Sequence, residues 1–177
     1  SVNLENHVKV RTLDWKKLQE TVEVAVRGLD NVIDINFYPT KEARNSNLRH
    51  RPVGLGIMGT HGMLHKLGIT YDSQEAIELC GKIQEFISYY AILTSSKLAK
   101  ERGHYESYMH SEWSYNNLPI DTYCRLMNSR KKANSYKPED FETLEWNKVR
   151  DHIAAHGMRN SNVMAIAPTA TISYIQG

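Results

Sequence analysis

The stretch from Asp72 to Gly103 constrains the fold of this chain more than any other. Asp72 with Glu75 three residues on spells a capping box at a helix start. From there Ala76, Leu79, Cys80, Ile83, Phe86, Ile87, Tyr90, Ala91, Thr94 and Leu98 follow one helical stripe down to Gly103. About thirty residues at ~1.5 Å each give a helix of roughly 45 Å, enough to cross a whole domain. A stripe that wide must lie against something large. This predicts the main structural helix.

Shorter elements flank it. Asp14 is placed to cap a helix whose Leu18, Val22, Ala25, Leu29 and Val32 recur at helical spacing, and Tyr38-Pro39 ends it. The polar run from Thr40 to His50 reads as a loop. Val53 to Met58 reads as a short strand, followed by a helical piece around Met63-Leu64 that Gly68 stops. Residues 104 to 140 are polar and irregular, with a short helix around Thr122 to Met127. Leu144, Trp146, Val149 and Ile153 mark a last helix, stopped at Gly157. Val163 to Ala167 carries no charge and fits a fully buried strand, although periodicity leaves a short helix open. Helices and strands in alternation predict an α/β fold, and 177 residues suit one domain.

The bulk numbers exclude several classes of partner. With 22 basic and 20 acidic residues the net charge is +2, which points neither to nucleic acid nor to an anionic membrane. No apolar run approaches the ~18 residues of a membrane span, and no signal peptide is visible. Two cysteines, Cys80 and Cys124, cannot build a disulfide framework, so a cytoplasmic location is expected. The first residue is Ser rather than Met, as in a processed product or an excised piece.

Several patterns invite a chemical reading. Gly54-Leu55-Gly56-Ile57-Met58-Gly59 spells the dinucleotide fingerprint, yet the residues before it (Asn47 to Pro52) are too polar for a buried strand. Close backbone packing at a strand-to-helix corner is the better reading of those glycines. His61 with His65, and His152 with His156, each put two imidazoles on one helical face, but the Glu of a zinc-protease motif is replaced by Gly62 and Ile153. Cys80 lies on the apolar stripe as a small hydrophobe, whereas Cys124, beside Tyr123 and Arg125, is expected to be partly exposed. Tyr89-Tyr90 falls on the long helix and reads as core packing. Arg130-Lys131-Lys132 reads as a solvated face.

One stretch remains, from Gly157 to Ser173. Pro168 has no N–H and stops ladder pairing, and Thr169, Ala170, Thr171, Ile172 and Ser173 then offer backbone N–H groups and three hydroxyls. Such a turn beyond a strand's carboxyl end either holds an anion, most simply a phosphate, or is an ordinary hydroxyl-rich loop. Arg159, with Asn160 beside it, either supplies charge to a phosphate from behind the turn or fixes the helix-to-strand corner by binding carbonyls; the second reading is favoured.

The run from Gly157 to Ser173 closely resembles the stretch ending in the substrate-phosphate loop of the large, catalytic subunit of ribonucleotide reductases. Further pieces resemble that family in the same order: Arg51-Pro52-Val53-Gly54-Leu55-Gly56-Ile57-Met58-Gly59, the helix from Tyr89 to Gly103, Leu118-Pro119-Ile120-Asp121-Thr122-Tyr123, and Ser1-Val2-Asn3-Leu4, which is similar to the residues just after a redox-active cysteine. The resemblance implies part of a ten-stranded α/β barrel, helix-rich and incomplete without partner fragments, with residues 1–177 as a single segment of it. It implies radical-based reduction of ribonucleotides by the complete enzyme, with Pro168, Thr169, Ala170, Thr171, Ile172 and Ser173 holding the substrate's phosphates.

The finger-loop cysteine, both redox cysteines, the radical-relay tyrosines and the effector region have no counterpart here, so the resemblance implies a split large subunit, inert alone. Its partners would be the fragments carrying those cysteines, a radical-generating small subunit and the nucleotide substrate. The chain itself would hold no cofactor. The complete enzyme would need either a dinuclear-metal radical subunit (class I, towards which Leu118 to Tyr123 points) or adenosylcobalamin, together with nucleotide effectors. Diphosphate and triphosphate substrates both stay open. Two other classes stand beside this reading: a helical scaffold module built on the long helix, and an independent nucleotide-binding domain.

Overall fold

The computed structural model describes residues 1–131 and 135–176; Lys132, third in the basic run, and Gly177 lie outside the described residues. In chain order the elements are β1 (Val2–Asn3), a 3-10 turn (Leu4–His7), β2 (Val8–Lys9), β3 (Thr12–Leu13), α1 (Trp15–Ile35), α2 (Lys41–His50), β4 (Ile57–Met58), α3 (Thr60–Leu67), α4 (Gln74–Arg102), α5 (Pro119–Lys131), α6 (Trp146–His156) and α7 (Ala170–Gln176). Two more 3-10 turns, Glu112–Tyr115 and Pro138–Asp140, punctuate the connections around α5.

The long helix is α4. Its cap is Ser73 rather than Asp72, with Ser73 Oγ accepting the Ala76 N–H at 3.1 Å. Both residue types cap well, so the pattern alone could not choose between neighbours. Ala76, Ile83, Ile87, Ala91, Thr94 and Leu98 of the expected stripe are buried, and so are Tyr89, Ile92, Ser95, Ser96 and Ala99. The reason is that α1 packs along one side of α4 and α6 along another, so its second half is covered on more than one face.

Asp14 caps α1 as expected, its Oδ1 accepting the Lys17 N–H at 3.0 Å. The buried face, however, is Leu18, Val22, Val26, Asp30 and Ile33, while Val32 is half exposed. The expected Ala25–Leu29–Val32 stripe is rotated because a carboxylate holds one core position. Residues 41–50, expected as loop, form α2. Thr40 Oγ1 accepts the Ala43 N–H, Arg51 ends the helix in the left-handed region (φ 46°), and no α2 residue is buried. Without an apolar face there was no periodicity to read. Helix α5 extends beyond 122–127 at both ends, and it buries Cys124, which was expected partly exposed.

The strands are short: β2 and β3 form an antiparallel pair, and the pairings that bear on the site are parallel. β1 pairs with β4 (Val2 with Ile57, Asn3 with Met58). Upstream of β4 the extended chain meets residues 162–165: Val53 N–H donates to Asn162 O at 3.0 Å, Leu55 N–H to Val163 O at 2.9 Å, and Ala165 N–H to Leu55 O at 3.2 Å. Leu55 and Met164 thus form a parallel bridge. Val163 is buried, but Ala165 to Pro168 are exposed and Ile166 is 94% accessible. This corrects the fully buried strand. A parallel strand is buried when both faces and edges are covered, and this segment has a neighbour on one edge only among the described residues.

The layers meet at Asp30, which has no exposed surface. Its Oδ1 accepts Arg51 Nε at 2.9 Å and Asn160 Nδ2 at 3.1 Å; its Oδ2 accepts Arg102 Nη1 at 2.9 Å and Arg159 Nε at 3.4 Å. Arg51 also forks onto Asp34 at 2.7 and 2.8 Å. One carboxylate therefore ties α1 to the start of the strand at residue 53, to the end of α4 and to the entry of the 162–165 segment. Removing one partner of a buried ionic cluster leaves uncompensated charge, which costs about 3–5 kcal/mol. Asp30→Ala should lower the urea-unfolding free energy by about that amount, and Asp34→Ala, whose carboxylate is half exposed, by about 1 kcal/mol or less.

Candidate functional site

The candidate site grows out of the end of α6. Gly157, with φ 73°, stops that helix, and Met158 turns into the core with no exposed surface. Arg159 N–H then donates to Ser95 O at 3.1 Å, and Asn160 N–H to Ser95 Oγ at 3.1 Å. Arg159 Nη1 donates to the carbonyls of Arg102 and Gly103 at 3.2 and 3.1 Å. Fully buried Asn160 bridges Asp30 and Arg51 O, both at 3.1 Å, and accepts Ser95 Oγ at 2.9 Å. In the structure these two residues grip carbonyls, Asp30 and α4, Asn160 fully buried and Arg159 half-buried. They fasten the root of a strand.

That strand carries the hydroxyl-rich residues outward. Pro168, Ala170, Thr171 and Ser173 are exposed, with Thr169 and Ile172 half buried. The turn expected after Pro168 is the opening of helix α7, in which Ser173 N–H donates to Thr169 O at 2.9 Å. Ser173 Oγ donates to Ala170 O at 2.7 Å, leaving the Thr169 and Thr171 hydroxyls without a protein partner among the described residues. First-turn N–H groups have no intrahelical acceptor, so donors and hydroxyls face solvent together.

A cavity lies beside this strand. A groove of about 940 Å³ runs between Leu55, Val163 and Ile166 on the strand side and Ile92, Tyr123 and Trp146 on the helix side. Its lining is mostly apolar and reaches no further along the chain than Ile166, so it suits carbon rather than phosphate.

The other motifs resolve into packing. A β-carbon on Gly54 would stand 2.7 Å from Ala165 Cβ, and one on Gly56 2.6 Å from Ala165 O. Gly59, at φ 72°, opens α3 against the Asn3 side chain. His152 Nδ1 lies 2.7 Å from Ser96 Oγ, whose proton goes to Gly157 O at 2.8 Å; burial, then His156, pushes that imidazole's pKa down. Among the described residues no three His, Cys, Asp or Glu side chains converge as a metal site. Burial pushes the Cys80 and Cys124 thiols up, which keeps them protonated and poorly nucleophilic. Tyr89 stands edge-on to Trp146 at 5.3 Å, and Tyr90 packs on Phe86 at 4.7 Å. Lys131 is hydrogen-bonded to Tyr136 at the exposed end of α5.

Two residues that support the site gave little sequence signal. Asp30 does interrupt an apolar stripe, which is the mark of a buried charge. Glu85 carried no such mark, yet it accepts Thr143 N–H at 2.6 Å, Leu144 N–H at 3.1 Å and the Trp146 indole at 2.9 Å. It thereby docks the start of α6 onto α4.

Taken together, short parallel strands backed by long helices are an α/β arrangement. The whole chain, residues 1–177, matches the family described as ribonucleotide reductase, barrel domain, and belongs to that family. It is 53% identical over its full length to the ribonucleoside-diphosphate reductase subunit alpha of Chlamydia pneumoniae, of which it spans 17%. It is 41% identical over 90% of its length to the subunit alpha of Helicobacter pylori, and 37% identical over all of it to the large chain of Schizosaccharomyces pombe, spanning 20% of each. The chain thus covers about a fifth or less of these relatives. No helix among the described residues is long and apolar enough to cross a membrane.

Glu85 yields a pH prediction. Burial pushes its carboxyl up, but hydrogen bonds from Thr143, Trp146 and Leu144 outweigh that and hold it below its ordinary 4.5. A depressed folded pKa gives stability that is present above the unfolded value and lost as pH falls through the folded one. The Trp146 indole N–H resonance should therefore stay fixed from pH 7 to about pH 5 and move only below about 4.5. In Glu85→Gln that acid step should vanish, with a loss of about 1–3 kcal/mol at neutral pH.

Proposed function

We propose that residues 1–177 form a single segment of the catalytic barrel of a ribonucleoside-diphosphate reductase large subunit, and that residues 168–173 hold the substrate's phosphates. What supports the reading is the family match along the whole chain, joined to one local observation: a strand rooted in a buried ionic cluster ends in unpaired donors facing solvent. The N–H groups of Ala170, Thr171 and Ile172 and the hydroxyls of Thr169 and Thr171 would donate to phosphate oxygens. Ser173 joins once its hydroxyl leaves Ala170 O. Arg159 and Asn160 act from behind the loop, holding the strand rather than the ligand.

In this reading the loop does no bond chemistry. It fixes the diphosphate so that the ribose stands under the radical, and positioning of that kind contributes by removing translational freedom in advance. The reactive cysteines belong to other parts of the enzyme, or to other fragments if the large subunit is split, and the segment alone is inert. The three parallel extended segments are a piece of a ten-stranded barrel whose remaining strands would cover the free edge at 164–166. No cofactor is held by this segment. The complete enzyme draws its radical from a small subunit with a dinuclear metal centre, or from adenosylcobalamin, responds to nucleotide effectors and works in the cytoplasm.

The test is made in the complete, reconstituted reductase. Thr171→Asp places a carboxylate where a phosphate should sit, and like-charge repulsion should raise KM for a nucleoside diphosphate by about tenfold or more. An unchanged KM would defeat the assignment.

A further inference from the structure

Of the three glycines in the 54–59 run, Gly59 opens α3, but Gly54 and Gly56 are absorbed by neither the fold's helices nor the phosphate reading, and both face one residue. Ala165 lies on the strand that leads to Pro168. Gly54 meets its side chain, with 2.7 Å between Ala165 Cβ and the β-carbon that Gly54 lacks. Gly56 meets its backbone, with 2.6 Å between Ala165 O and the missing β-carbon. Neither distance is tolerable for real atoms, so any side chain at 54 or 56 must push the two segments apart. Between these contacts run the hydrogen bonds that fix their register, Leu55 N–H to Val163 O and Ala165 N–H to Leu55 O.

We propose that Gly54 and Gly56 are positioning residues for phosphate binding: the close seam they make with Ala165 sets where the 168–173 loop stands relative to the rest of the substrate site. This deepens the phosphate-loop reading and rests on it. The physical argument is one of leverage. Upstream of the seam the strand is fastened by Asn160 and Arg159 to Asp30 and to the end of α4. Downstream, Ala165 to Pro168 is exposed and has no second neighbour among the described residues. The seam thus holds the last backbone hydrogen bond between this strand and its neighbour among the described residues. A displacement there passes directly to the donors that meet the phosphates, and misplacements near 1 Å are costly in a positioned site.

The two glycines differ in a way that makes the idea testable. Gly54 abuts a side chain that can be trimmed, whereas Gly56 abuts a carbonyl that cannot. In the complete reductase, with cytidine diphosphate as substrate and cytidine as competitor, Gly54→Ala should raise KM for the diphosphate about tenfold. The competitor's inhibition constant should stay within about twofold, because the nucleoside carries no phosphate. Adding Ala165→Gly to Gly54→Ala should return KM to within about twofold of wild type. Gly56→Ala should raise KM as well, and Ala165→Gly should not rescue it.

Plain destabilisation would instead lower the active fraction, and with it kcat, at unchanged KM; that result overturns the proposal. Equal rescue of both glycine variants overturns the seam geometry. Thr171→Asp serves as the separate control. If it raises KM while Gly54→Ala does not, the seam idea fails and the loop stands; if Thr171→Asp leaves KM unchanged, the loop assignment itself has failed.

Discussion

A carboxylate without exposed surface is the constraint on which the rest of the molecule turns. Asp30 sits in the middle of α1 at a position the helix would otherwise fill with a branched aliphatic. It is compensated by Arg51, Arg102, Arg159 and Asn160, drawn from three other parts of the chain. Burying an ion is unfavourable unless it is paired and hydrogen-bonded, so each of these groups is held to a narrow set of positions. Apolar packing between α1, α4 and α6 supplies the bulk of the stabilisation, but it is non-directional. The ionic cluster supplies direction. It fixes where the strand at residue 53 begins, where α4 ends and where the 162–165 segment enters.

The arrangement divides the chain into an anchored part and a presented part. Arg51 and Asn160, which meet Asp30, are buried and Arg159 half-buried, whereas beyond Ala165 most residues are exposed, Thr169 and Ile172 being half-buried. Glu85 plays a smaller version of the same part on the opposite side of α4, where its carboxylate gathers the backbone and indole donors that open α6. The groove between the strand edge and the helices is mostly apolar and reaches along the strand only as far as Ile166. The chain itself spans a fifth or less of its relatives.

The elements legible in the sequence were those with a simple periodicity or a clear stop. Helix α4, the Asp14 cap, the Gly68 and Gly157 stops and the strand near Val53 all belong here, and the family's motifs were recognisable in order. What escaped notice had physical causes. Helix α2 buries nothing, so its one sequence signal is Thr40 as a cap, and its end at left-handed Arg51 is visible only in the structure. The face of α1 was misjudged because Asp30 takes a core position, and a charge is not counted as core. The 163–167 strand reads as buried because it is apolar, whereas among the described residues it has a neighbour on one edge only and is exposed from Ala165 to Ala167. Of the candidate site, the hydroxyl-rich loop was visible as composition, but its helical opening and the glycine seam behind it depend on contacts between residues 54 and 165, which no local pattern encodes.

Hydrogen–deuterium exchange on the complete reductase tests the central claim most directly: a strand fastened at Asp30 presents free amides to a nucleotide's phosphates. With saturating nucleoside diphosphate, the amides of residues 170–172 should become strongly protected, while those of 159–161, already hydrogen-bonded without ligand, should change little. Protection by the bare nucleoside should be absent. If the diphosphate leaves residues 170–172 exchanging as freely as before while protecting some other stretch of the barrel, the account is wrong.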